Sequence, residues 1–124
     1  NSELYEIHLT IAKTFFNFFG ADLSSRLKAL NSLVSGEGAL TVDRASEILE
    51  IWQRAARDIL LYSLNCQDLA QHSALQTDIE AVIASHPDSA SYFLSVLELL
   101  DKLKKYLAAN VAPSAVVAQL IYNL

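Results

Sequence analysis

Apolar residues recur at helical spacing along most of the chain, and no segment alternates with period two for long. Leu4, Ile7, Ile11, Phe15 and Phe18 predict a first helix over Glu3–Phe19. Phe15, Phe16, Phe18 and Phe19 cannot all face one way, so two of these rings must reach a second contact. Gly20 suits the left-handed stop after a helix, and Asp22 suits the N-cap of the next. That second helix carries Leu23, Leu27, Leu30 and Leu33 or Val34, with Arg26 and Lys28 outside the stripe. Ser35-Gly36-Glu37-Gly38 is the clearest break in the chain.

The stretch Thr41–Cys66 dominates the pattern. It has no Pro or Gly and holds the single Trp. One apolar row runs through Val42, Ala45, Ile48 or Leu49, Trp52, Ala56, Ile59 and Tyr62. A second runs through Ile51, Ala55, Leu60 and Leu64. A helix over about residues 41–65 spans roughly 36 Å at about 1.5 Å per residue. Two apolar rows require neighbours on more than one side, so this element is predicted to be central. Thr41 is its expected cap, Asp43 suits its positive end, and Glu50 and Arg54 stand in the favourable order for a surface pair.

Beyond it, Cys66–Ser73 is polar and mixed, and reads as a loop with one loose turn. Leu75, Ile79, Val82 and Ile83 mark a short helix that must end near Ser85, because Pro87 disfavours helix at His86. Asp88 or Ser89 caps a fifth helix carrying Tyr92, Val96, Leu99 or Leu100, Leu103 and Leu107. Lys102, Lys104 and Lys105 fall near its negative end. Asn110 suits a helix stop and Pro113 the first turn of a last helix with Val116, Val117, Leu120, Ile121 and Leu124. The prediction is an all-α fold: a single bundle of about six helices around a long central one, occupying residues 1–124.

Composition narrows what such a bundle does. The chain has 124 residues, 52% of them apolar and only 19% charged, so there is ample surface to bury and some left to face a partner. A formal charge of −5 argues against direct nucleic-acid binding by this piece. Cys66 is the only cysteine, which suits a reducing, cytoplasmic compartment. No stretch reads as a membrane span. The chain opens without Met, inside a helical pattern, and is expected to be a fragment of a longer protein.

Chemistry is sparse. Gly20, Gly36 and Gly38 do not form a phosphate-binding loop. Cys66 and His72 lack a third orienting group for nucleophilic catalysis. His8, His72 and His86 lie on separate segments without ligand spacing. No carboxylates pair at i, i+3 or i, i+4 among apolar neighbours for acid–base work. The expectation is therefore no catalytic residue, no metal, no cofactor and no small-molecule substrate. Phe15, Phe18, Trp52, Ile59 and Tyr62 are the candidate core anchors. Arg54, Arg57 and Asp58 follow the Trp in the most apolar part of the central helix. They read either as a solvated strip with Asp58 and Arg54 paired, or as a polar contact with another subunit.

The order Trp52, Arg57-Asp58, Leu60-Leu61 on a long helix resembles the C-terminal domain of the delta-prime subunit of bacterial DNA polymerase III, a clamp-loader component. So does the later sequence: a polar loop, a short helix, a Leu-rich helix, then Asn110-Val111-Ala112-Pro113 before a final helix. Ala112 stands where that family usually has Asn. Gamma/tau-type subunits carry a related domain. The resemblance implies a non-catalytic collar domain of an AAA+-type subunit whose nucleotide-binding modules lie upstream. Its partners would be the other clamp-loader subunits, and Arg54, Arg57 and Asp58 the residues to test for contact. The other reading is an effector-binding or dimerising helical domain of a transcriptional regulator, with Phe15, Phe18, Trp52 and Tyr62 lining an internal pocket.

Overall fold

The computed structural model describes residues 2–34, 40–70, 75–86 and 88–124. Six α-helices follow one another: α1 (Ser2–Phe18), α2 (Leu23–Val34), α3 (Val42–Ser63), α4 (Gln76–Ser85), α5 (Ser89–Ala108) and α6 (Pro113–Asn123). A 3-10 turn at Gln67–Leu69 stands between α3 and α4. There is no strand among the described residues, so the molecule is an all-α bundle. The expected break at 35–38 lies outside the described residues, as do His72, Ser73 and Pro87.

The punctuation is chemical. Gly20 has φ 85°, ending α1 in the left-handed region that favours glycine. Asn65 (φ 60°) and Asn110 (φ 67°) do the same after α3 and α5. There the amides of Cys66 and Val111 reach back to the carbonyls of Leu61 and Tyr106, as expected of a helix closed by a left-handed residue. Asp22 Oδ1 accepts from the Ser25 amide at 2.7 Å, and Thr41 Oγ1 from the Arg44 amide at 3.1 Å. Asp88 and Ala112 occupy cap positions without a side-chain hydrogen bond, and Pro113 opens α6.

Helix α3 packs most extensively against α5 and next against α1, and it also touches α4 and α6. Ala45, Ile48, Leu49, Trp52, Ala56 and Ile59 are buried. The second apolar row divides: Ile51 and Ala55 are buried, Leu60 is half-buried, and Leu64 is 54% exposed. Trp52 lies at 5.4 Å from Phe18 and 6.1 Å from Phe15, centroid to centroid. Its Nε1 donates to the Ile11 carbonyl at 3.0 Å, satisfying the one polar atom of a buried ring. Phe19 continues the aromatic contact to Phe93, Tyr92 and His86. Phe16 faces the α4 side beside Val82. So the four phenylalanines do divide between contacts.

The apolar stripe of α1 is buried only in its C-terminal half. Ile11, Phe15 and Phe18 are inaccessible, whereas Leu4 is 66% and Ile7 38% exposed. Arg26 is not outside the bundle. Its Nε donates to the Phe18 carbonyl at 2.9 Å and an Nη to the Ile121 carbonyl at 3.3 Å, so one guanidinium ties the C-terminal ends of α1 and α6.

Candidate interaction surface

The outward stripe of α3 follows from helical spacing: Glu47, Glu50, Arg54, Arg57, Leu61 and Leu64 stand three or four residues apart. Its character changes along its length. The N-terminal end is acidic and internally compensated, with Glu47 Oε1 3.3 Å from an Nη of Arg44. Glu50 is shared: one carboxylate oxygen lies 2.8 Å from Lys104 Nζ, and the other 3.8 Å from Arg54. Lys104 also donates to Gln53 Oε1 at 2.9 Å, which pins α5 to α3 at this level. The Lys104 hydrogen bond is the main reason that the Glu50 carboxyl titrates below its ordinary value of about 4.5; partial burial opposes it, and Arg54 adds to it.

Arg57, one turn further on, is exposed and has no ion pair or hydrogen bond among the described residues. After it the stripe becomes apolar, with Leu61 half-buried and Leu64 exposed. Arg54 and Arg57 are thus both at the surface, where residues that meet another subunit must be.

Asp58 is not, and here the expectation is corrected. Its side chain is completely buried, on the inner flank of α3 with Ile51 and Ala55. The physical reason is the spacing itself: seven residues after Ile51 and three after Ala55, position 58 returns to the row that packs inward. Its charge acts on a neighbour instead. Burial first, then the carboxylates of Glu80 and Asp58, raise the Tyr62 hydroxyl above its usual range. Among the candidate anchors, Phe15, Phe18, Trp52 and Ile59 are fully buried, and Tyr62 is half-buried against the core.

Two open grooves flank the exposed half of α1. One, of about 440 Å³, runs along Glu6, Ile7, Thr10 and Thr14 against Ala29 and Leu33 of α2. The other, of about 400 Å³, lies between Leu4, Ile7 and His8 and the Glu47–Arg54 segment of α3. A third, of about 350 Å³, lies between Ser63 at the end of α3 and His86, Ser89 and Ala90 at the start of α5. Phe15, Phe18 and Trp52 line none of them; they are packed against one another. Cys66 is exposed, and no group of three His, Cys, Asp or Glu side chains converges among the described residues.

Lys104, Gln53 and Arg26 carry polar contacts between residues far apart in the chain, and each has a partner on another helix. Spacing places Lys104 near the end of α5 but does not point to Glu50, 54 residues away. Comparison of the chain with family models, with curated proteins and with solved structures gives no match.

Proposed function

We propose that this chain is a subunit-association domain, the collar part of a bacterial clamp-loader subunit of the delta-prime type, and that its work is mechanical rather than catalytic. One observation carries the reading: the order Trp52, Arg57-Asp58, Leu60-Leu61 lies on the central helix of an all-α bundle, with the Trp inside and Arg57 on the outer edge. A helix that must hold a domain together and also present a contact to another chain needs that division. The apolar surface left at Leu64, Leu94 and the N-terminal half of α1 fits the same task, because exposed apolar residues rimmed by polar ones are the usual material of protein interfaces. The Asn110-Val111-Ala112-Pro113 segment before α6 adds the second point of resemblance.

The test is assembly. The chain is mixed with purified clamp-loader subunits and resolved by size-exclusion chromatography. The expected result is co-elution in a complex of defined stoichiometry. A chain that elutes alone under conditions in which the remaining subunits assemble with a full-length delta-prime subunit sinks the reading.

A further inference from the structure

The seam between α3 and α5 has a definite partner chemistry written into it. Two contacts fix how the helices run. Lys104 meets Glu50 and Gln53, and Ala90 shares a groove with Ser63, so α5 descends alongside α3 in the opposite direction. Residues 94–97 of α5 therefore lie level with residues 57–61 of α3. On the outer side of this level stand Leu61 and Leu97, both half-buried, with Leu64 at 54% and Leu94 at 52% exposed. Arg57 rises beside them with no carboxylate to meet it among the described residues, whereas Lys104 and Arg54 above are already held by Glu50. This is an apolar patch with an uncompensated guanidinium at its edge.

We infer that this seam docks an amphipathic helix from a different protein chain, one that lays an apolar stripe over Leu61, Leu64, Leu94 and Leu97 and presents a carboxylate to Arg57. The inference rests on the association reading above and names the partner's chemistry at that site. Charge decides the occupant. A second copy of this chain seated about a two-fold axis close to Arg57 would bring Arg57 against Arg57, which is repulsive, and one seated elsewhere on the patch would show itself as self-association of the chain without any peptide. A nucleic-acid backbone would meet Glu50, Glu98 and Asp101 on the same two helices, in a molecule of formal charge −5. A helix with an apolar stripe and a single carboxylate at the level of Arg57 matches both the apolar area and the unmet cation without setting a row of charges against Glu50, Glu98 and Asp101, and a planar guanidinium is well suited to grip a carboxylate with two hydrogen bonds.

The test uses two synthetic helical peptides with identical leucine stripes, one flanked by a single Glu and one by a single Lys, titrated into the isotopically labelled 124-residue chain. Shifts of the amide resonances of residues 57–64 and 90–98 report the seam. The expected result is that the Glu peptide shifts them and binds at least about tenfold more tightly than the Lys peptide, and that Arg57→Glu inverts that preference. Leu94→Lys should weaken both peptides. Equal binding of the two peptides, shifts confined to α1, or no shift at all overturns the inference, as does tighter binding of a single-stranded oligonucleotide to the same residues. Because the probes contain no clamp-loader sequence, failure here leaves the assembly experiment to judge the clamp-loader reading by itself, and the reverse also holds.

Discussion

The two sides of α3 use one helix for opposite purposes. Around Trp52 the inner side meets α1 and α5 with no exposed atom. The indole packs against the rings of Phe15 and Phe18, and its one polar hydrogen is given to Ile11. Five residues along, Arg57 stands in solvent beside leucines that are only partly covered. The difference teaches where stability is concentrated and where it is withheld. Close packing gives the first region its fixed geometry. Incomplete packing leaves the second with apolar area that only another surface can remove from water.

The sharpest way to break the contrast is Trp52→Ala. Removing the largest buried side chain leaves a cavity bordered by Phe15 and Phe18 and deprives the Ile11 carbonyl of its side-chain donor. A loss of about 3–5 kcal/mol is expected in denaturant unfolding followed by circular dichroism. A loss under about 1 kcal/mol would show that the inner side is not the anchor. Trp52→Phe should fall between, since it keeps most of the apolar volume and loses the hydrogen bond.

Asp58 and Arg57 are neighbours in the chain on opposite sides of the contrast. Asp58→Ala should destabilise the domain by about 2–3 kcal/mol, because a completely buried carboxylate is tolerated only with its interactions intact and its partners are left unmatched when it goes. Arg57→Ala should change the melting curve by no more than about 0.5 kcal/mol in unfolding free energy. If the two variants melt alike, the division into inner and outer sides is wrong at this level of the helix.

How far the sequence reveals this depends on the range of the interaction. Helix ends are decided within a few residues, and Gly20, Asp22, Thr41, Asn110 and Pro113 act in the structure as their chemistry predicts. The buried face of α3 is legible because packing repeats with the turn of the helix. Asp58 is misplaced only when its charge is weighed above its spacing from Ile51 and Ala55. The C-terminal end of the second apolar row is different: Leu64 has the right residue type but no neighbour to cover it, and no local pattern reveals that. Nor does it reveal Arg26, whose second carbonyl lies 95 residues away on α6. The surface proposed for subunit contact is the least legible part, since no helix of this chain packs on it to leave a pattern in the sequence.

Arg26→Ala addresses a part of the stable region that long-range geometry alone creates. Two helix-terminal carbonyls, those of Phe18 and Ile121, lose a charged donor, and Tyr92 loses a nearby cation. The guanidinium is partly exposed, so water replaces some of what is lost, and about 1–2 kcal/mol is expected. Hydrogen exchange should locate it. Amides of the last turn of α6 should lose protection first, because α6 is short and is tied to α2 through this contact. Uniform loss across the molecule would mean that Arg26 supports the whole bundle rather than its end.

Among the interactions that hold helices together, the smallest effect is expected where the two regions meet, at Glu50 and Lys104. Glu50 titrates below its ordinary value of about 4.5 in the folded chain, so the pair contributes stability that is fully present above that value and lost as pH falls through the lowered one. Both side chains are substantially exposed, at 43% and 34%, so solvent screening holds the contribution within about 1 kcal/mol. Lys104→Met should leave stability at pH 3 close to that of the parent and reduce it slightly at pH 7, flattening the acid limb of the melting temperature plotted against pH. High salt should produce the same flattening in the parent chain. A variant that loses stability equally at both pH values would show that Lys104 acts through the packing of its methylene stem on α3 rather than through its charge, and would extend the closely packed region outward to the edge of the seam.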